Sequence, residues 1–485
     1  MKLTYKNNAD TFILGSDKRC FVSTNSYETK LNNNIMVVGG SGSGKTRGVV
    51  LPTCLNMQNE NAVIILSKEG EFAKVKEFMK SQGYNIYTLN FKEPENLGYD
   101  PLKYCENLTD VRDLAHSIMW AGCDENNPPK DLYWVNAPEN ILYLTLAYVW
   151  RGCYSEGKSL NAALKLLDSL VWLEKSEKDF VVNVPLENCK LQIAICDFIK
   201  EIDDEEKTQN LKKICNEINM FIKEREVNTK EKSLIYYEFA QNLKEKLPEL
   251  SYIWEGFISL PDVTGSCIAN CLKTPIEKMF TNDVRGILKK ENQFELEKLL
   301  EPKTVLFVHV SPVSRAQHNF VGIFYAQLFK KLFEMAEKEP SSRLPHHVEV
   351  IGDDFATGCK IPDYQDLISI FREKNIGAMM LIQSETQLSS LYGKENAATI
   401  INNCDTYVYL GGMDIKTCEN ISKRMNLPYS DIQNMKIGSE FFIRRGTTPF
   451  QTKAYDIESD ILYQTNIKEN KIKEKEKISN DLSYY

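Results

Sequence analysis

At 485 residues and a net charge of −8, the chain is too long for a single core and is expected to divide into two or three domains. Its composition, 42% hydrophobic and 26% charged, excludes a disordered or fibrous protein. The acidic balance excludes a surface that is basic all over, so any contact with nucleic acid must be local.

In chain order, apolar runs bounded by turn signals predict strands at 35–38, 62–66, 85–89, 304–310, 348–351, 378–382, 407–410 and 440–443. Longer amphipathic stretches, among them 319–338 and 386–402, predict helices between them. This alternation predicts an α/β domain, mainly a parallel sheet with helices on both faces. The middle of the chain, from about 108 to 260, is rich in Leu, Lys and Glu at helical spacing and predicts an inserted all-α domain. The predicted divisions are 1–105 with 261–466 for the α/β domain, 106–260 for the insert and 467–485 for a charged, solvated tail. The very charged stretch 203–232 predicts a solvated helical hairpin, and its Lys-containing patches 207–213 and 223–232 predict solvated faces.

No apolar run reaches the roughly 18 residues of a membrane span, and the N-terminus lacks the apolar segment of a secretory leader. The 13 cysteines include no Cys-x-x-Cys pair. The five histidines, at 116, 309, 318, 346 and 347, do not fall at zinc spacing from any cysteine. The cysteines, including Cys267 and Cys271 one helical turn apart, are expected to be reduced core thiols, and His346-His347 a surface pair. A soluble protein in a reducing compartment, the cytoplasm, is expected.

The strongest motif is Gly39-Gly40-Ser41-Gly42-Ser43-Gly44-Lys45-Thr46, directly after the apolar run 35–38 and before a predicted helix. Small residues let successive backbone N–H groups turn toward phosphate oxygens at a helix N-terminus. Lys45 brings a positive charge to the β/γ oxygens and the Thr46 hydroxyl is a ligand for Mg2+. Arg47 follows and is counted with the nucleotide-binding residues. A nucleoside triphosphate with Mg2+ is the expected ligand.

About 300 residues on, the run 348–351 ends in Asp353-Asp354. Residues at the carboxyl ends of sheet strands line the ligand crevice. Asp353 there would hold the Mg2+ shell and Asp354 would orient or deprotonate the attacking water; an aspartate-rich turn after an edge strand is the structural alternative. Gln383 ends the next apolar run, so it would lie beside Asp353, where a neutral amide can touch both γ-phosphate and water. Arg372, taken alone, fits a surface ion pair as well as an arginine finger offered to a neighbouring subunit.

These segments together resemble the type IV secretion coupling proteins, the TraG/TraD-like ATPases of conjugation, in their short Gram-positive form. The matching stretches are Asn33-Asn-Ile-Met-Val-Val-Gly-Gly-Ser-Gly-Ser-Gly-Lys-Thr46 with Leu51-Pro52-Thr53, Gly83-Tyr-Asn-Ile-Tyr-Thr-Leu-Asn90, Asp100-Pro101-Leu102 and Asp131-Leu-Tyr-Trp134. Further on come Gly352-Asp-Asp-Phe-Ala-Thr-Gly-Cys-Lys-Ile-Pro-Asp363, Gln383-Ser-Glu-Thr-Gln-Leu388 and Asn403-Cys-Asp405 leading to Leu410-Gly411. The resemblance implies a RecA-like P-loop NTPase domain with an all-α insertion, and a homo-hexamer with nucleotide between subunits. It implies ATP hydrolysis coupled to delivery of single-stranded DNA, with its bound relaxase, to a type IV secretion channel. Carried over, Lys45 and Thr46 are the phosphate and Mg2+ residues, Asp353 the metal-side acid, Arg372 the finger acting in trans and Gln383 the sensor.

Three features depart from the family pattern. Ser67-Lys68-Glu69-Gly70-Glu71 stands where Asp-Pro-Lys-Gly-Glu is usual, Asp354 stands where glutamate is usual, and the N-terminal membrane spans of full-length members are missing. Either a partner protein tethers the subunit at the inner face of the cell membrane, or the protein works in solution. Ser67 and Asp354 also motivate a second class of function, a nucleotide-binding cargo adaptor with weak or no hydrolysis. A double-stranded DNA pump of the FtsK type lacks a visible C-terminal winged helix, and a small-molecule kinase is hard to reconcile with a helical domain between the two phosphate motifs.

Overall fold

A computed structural model describes residues 11–67, 70, 72–92, 97–120, 131–171, 239–357 and 360–465. The expectations for 203–232, for the Lys-containing patches within it and for the tail from 467 lie outside the described residues.

The chain forms two compact units, one of residues 1–99 with 279–485 and one of residues 100–278. In the first, a nine-stranded sheet has the order β11-β10-β9-β3-β8-β7-β4-β6-β5 among the described residues. The strands are β3 (Ile35–Val38), β4 (Asn61–Leu66), β5 (Asn85–Asn90), β6 (Thr304–His309), β7 (Val348–Gly352), β8 (Ile376–Ile382), β9 (Thr406–Tyr409), β10 (Ser439–Arg444) and β11 (Phe450–Lys453). From β9 to β5 all neighbours run parallel; β10 and β11 add an antiparallel edge. Every residue of β3, β4, β6, β7 and β8 is buried, as a parallel sheet covered on both faces requires. Continuous β-branched and aliphatic runs, not alternating ones, therefore encode these strands.

One face packs Val37, Ile64, Phe307 and Leu381 against Val49, Leu51, Phe72 and Val75 from the helices that follow β3 and β4. A short antiparallel hairpin, β1 (Thr11–Ile13) with β2 (Phe21–Ser23), joins the same core through Phe12 and Val22. Across the sheet, the helix Arg315–Lys338, capped by the Ser314 hydroxyl, sets Phe320 on Phe91 and Tyr99 and stacks Phe329 on Phe371.

Each strand predicted from the sequence is present within two residues at either end; β1, β2 and β11 were not anticipated, the first two because three residues are too few to show a pattern. The single helix expected at 386–402 is two, Glu385–Tyr392 and Lys394–Asn402, broken where Gly393 takes φ 80°. The expectation of a surface pair at His346-His347 is corrected for His347, which is 8% exposed and sits with Nε2 2.9 Å from Oε2 of the fully buried Glu349. Its place one residue before β7, with its carbonyl accepting the Asn61 N–H, draws it into the sheet layer. Of the neighbouring thiols, Cys267 is exposed and Cys271 half-buried, not core, whereas Cys20, Cys54, Cys105 and Cys418 are buried.

The second unit holds the helices Leu108–Trp120, Tyr133–Trp150, Leu160–Val171, Ser251–Ile258 and Asp262–Met279. It begins earlier than residue 106 because Asp100, itself fully buried, accepts hydrogen bonds from the Leu102 and Leu160 N–H groups. It ends later than residue 260 because the helix Asp262–Met279 runs through to its boundary without a break.

Candidate nucleotide site

The phosphate loop leaves the carboxyl end of β3 and enters a helix. Gly42 and Gly44 adopt φ 76° and 89°, which side-chain-bearing residues rarely take, so the loop's backbone can fold back over the strand end. The helix opens as a π-helical turn, Thr46–Val50, before becoming α-helical at Leu51–Asn56. π turns concentrate at functional sites because they re-aim a side chain. Lys45 is 8% exposed and its Nζ donates to the Gly39 and Gly40 carbonyls at 2.6 and 3.2 Å. Arg47 pairs with Glu458.

Strand order supplies the rest. β8 lies between β3 and β7, in register Val38↔Ile382 and Gly352↔Met380. The Gly39 N–H donates to the Ile382 carbonyl, so Gln383 emerges directly beside the phosphate loop; its side chain is exposed and its N–H donates to Gln387 Oε1 at 3.1 Å. β7 delivers Asp353, whose N–H donates to the Ile65 carbonyl of β4. The Thr46 hydroxyl stands 3.2 Å from both Oδ1 and Oδ2 of Asp353. One hydroxyl and one carboxylate on a phosphate-binding turn form the oxygen donor set that Mg2+ takes together with phosphate and water, so these residues fit that ion. Beneath Asp353, burial, with Tyr392 and Asp353 nearby, pushes the Tyr325 phenol well above its usual range, leaving a neutral hydroxyl there.

Asp354 is half-buried at φ 56°. Asp and Asn tolerate this left-handed conformation better than most side chains, which gives a backbone reason for the shorter acid here.

Lys45, Thr46, Asp353, Asp354 and Gln383 thus converge on one end of the sheet. Arg372 does not join them. It is exposed in the last turn of the helix Tyr364–Lys374, next to where β8 begins, and the seven residues of β8 separate the two ends of the sheet by about 20 Å at 3.3 Å per residue. Its carbonyl accepts from Arg343 Nη1 at 2.7 Å.

Sequence reasoning gave no role to the loop after β9. The Gly40 N–H donates to the Gly411 carbonyl at 2.8 Å, and Asp414, farther along the loop, accepts from Thr386 and Thr417. Its sequence signals were the adjacent glycines 411 and 412 after an apolar run and the Leu410-Gly411 stretch within the family resemblance.

A parallel sheet with the phosphate loop on β3, an acid after β7 and Gln383 after the strand between them is a RecA-like fold carrying a helical insertion. The chain belongs to the type IV secretory system conjugative DNA transfer family, whose model matches residues 2–426, and is a conjugative DNA-transfer coupling protein. Solved structures of similar fold include the bacterial conjugative coupling protein TrwBΔN70 in its unbound monoclinic form, 13% identical with TM-score 0.59, covering 93% of this chain and 90% of that one. TrwB in complex with ADP and Mg2+ is 13% identical with TM-score 0.56, covering 87% and 85% of the two chains. TrwB with the ATP analogue ADPNP is 12% identical with TM-score 0.58, covering 88% and 86%. No curated protein sequence matches the chain.

Proposed function

We propose that this chain binds and hydrolyses ATP to drive single-stranded DNA, with its attached relaxase, into a type IV secretion channel, acting as a homo-hexamer. The observation that carries this reading is the approach of Thr46 to Asp353 beside Gln383, with complexes of the similarly folded TrwB with nucleotide and Mg2+ in support.

In this reading the loop N–H groups and Lys45 hold the β- and γ-phosphates, and the Lys45 ammonium exchanges its carbonyl partners for phosphate oxygens. Thr46 and Asp353 would hold Mg2+, which would neutralise charge at the phosphate oxygens. Asp354 orients the attacking water and accepts its proton. Gln383 touches γ-phosphate and water together, so its turn senses whether the γ-phosphate is present. Arg372, exposed and far from its own phosphate loop, is in this reading the finger that acts on another subunit's nucleotide.

Among the described residues no helix is long and apolar enough to cross a membrane; a membrane-anchored partner at the inner face of the cell membrane would complete the assembly. ATP hydrolysis measured at low salt with and without single-stranded DNA tests the proposal. Turnover that rises with DNA and vanishes in Lys45→Ala is expected, and turnover indifferent to both would reject it. Tight nucleotide binding without turnover would point instead to a cargo adaptor.

A further inference from the structure

The loop after β9 touches both halves of the site. On one side the Gly411 carbonyl accepts the Gly40 N–H of the phosphate loop. On the other, Asp414 Oδ1 accepts from the Thr386 hydroxyl at 2.9 Å, while Oδ2 accepts from the Thr417 N–H and hydroxyl at 2.8 and 2.6 Å. Between these ends the Gly412 carbonyl accepts from the Tyr409 hydroxyl and the Cys418 thiol, so the loop is held at 411, 412 and 414.

Thr386 belongs to the turn that carries Gln383. Its hydroxyl lies 2.8 Å from the Ser384 hydroxyl, Ser384 Oγ accepts the Gln387 N–H, and Gln387 Oε1 accepts the Gln383 N–H. The Thr417 hydroxyl also accepts the Glu385 N–H. Glu385 anchors the turn from below: it is buried, its Oε1 receives the Tyr407 hydroxyl at 2.8 Å and Arg424 Nη1 at 3.0 Å, and its Oε2 receives Asn420 Nδ2. Burial opposes ionisation of Asp414, yet the hydrogen bonds from Thr417 and Thr386 hold its carboxyl below the usual range, so at neutral pH it is an anion with a donor on each oxygen.

We propose that Asp414 is a positioning residue that couples the phosphate loop to the Gln383 turn through Gly411 on one side and Thr386 on the other. A phosphate drawn into the loop shifts Gly40, and the held segment 411–414 passes that displacement to Thr386 and so to Gln383. The coupling rests on the nucleotide-site reading above, but concerns residues which that reading does not use. A helix cap alone, the plain structural role of Asp414, would need only the bond to the Thr417 N–H.

Thr386→Val removes the donor to Asp414 and leaves that cap intact; Thr386→Ser restores the donor. Hydrogen exchange is followed with and without a non-hydrolysable ATP analogue. In the wild type the analogue is expected to slow exchange over both 39–46 and 383–388. In Thr386→Val the slowing remains over 39–46 and is lost over 383–388, and Thr386→Ser recovers it. Steady-state hydrolysis is expected to lose kcat roughly tenfold in Thr386→Val with KM within about twofold, and Thr386→Val added to Gln383→Ala is expected to cost nothing more. Equal protection of 383–388 in wild type and Thr386→Val, or fully additive losses with Gln383→Ala, would overturn the coupling while leaving the nucleotide site standing. Absence of slowing over 39–46 in the wild type would overturn the nucleotide site, and the coupling with it.

Discussion

The Thr46 hydroxyl lies 3.2 Å from both carboxylate oxygens of Asp353, a residue 307 positions away in the chain. The contact exists because β7 and β3 flank the same strand, β8, and end at the same edge of the sheet. Asp353→Asn keeps the shape and removes the charge. It is expected to lower kcat by about 10²–10³-fold, the scale of losing one preorganised electrostatic group, and to abolish the response of turnover to added Mg2+. Titration of hydrolysis with Mg2+ checks this, and an unchanged Mg2+ profile would take Asp353 out of the metal site.

Asp354 occupies a left-handed backbone position that Asn also tolerates, so Asp354→Asn isolates the chemistry from the fold. The thermal midpoint is expected to hold while kcat falls by about 10²–10⁴-fold, the usual contribution of a general base, with nucleotide affinity retained. Asp354→Glu must place a longer side chain on the same strained turn and is expected to lower the thermal midpoint. Hydrolysis, nucleotide titration and thermal melts on the two variants separate these effects.

Arg372 and Lys45 lie at opposite ends of β8, which predicts complementation between subunits. Arg372→Ala and Lys45→Ala are each expected to be inactive alone. When the two are mixed, a Lys45→Ala subunit can lend Arg372 to the intact phosphate loop of an Arg372→Ala neighbour, and part of the turnover returns. A mixture as silent as its components would remove Arg372 from any neighbour's site.

Glu440 lies fully buried on β10, with the Cys20 thiol donating to its Oε1 at 3.7 Å and, among the described residues, no hydrogen-bond partner on Oε2. Burial pushes its carboxyl up to about 8. A folded-state value above the unfolded one means the native protein holds a proton that the unfolded chain has released. Between roughly pH 4.5 and 8 this group therefore makes stability fall as pH rises, at no more than about 1.4 kcal/mol per pH unit. Glu440→Gln removes the titration, so its urea midpoint relative to wild type is expected to climb from pH 5 to pH 8. A constant offset between the two proteins would show that Glu440 is not protonated in the native state.

Much of the fold was legible in the sequence because buried parallel strands need unbroken apolar runs, and such runs at 35–38, 62–66 and 378–382 stand out against their polar surroundings. The phosphate loop was legible because its glycines, Lys45 and Thr46 act within one turn of chain. Less visible were features set by contacts rather than by pattern. Beside a second histidine and ahead of an apolar run, His347 has the look of a surface residue, yet the parallel pairing of β7 with β4 and β8 encloses it with Glu349. The break at Gly393 was hidden because the residues on either side continue a helical pattern.

By itself, the sequence determined which segments become strands, which turn carries the phosphate-loop motif, and which acid, amide and arginine were candidates for its chemistry, since each depends on residue type and short-range spacing. Tertiary structure alone decided that Asp353 meets Thr46, that Gln383 borders Gly39, that Arg372 is left at the far end of the sheet, and that the Gly411–Asp414 loop spans the two motifs. Those outcomes follow from strand order and register, which arise when distant segments bury their faces together and which no local run of residues encodes.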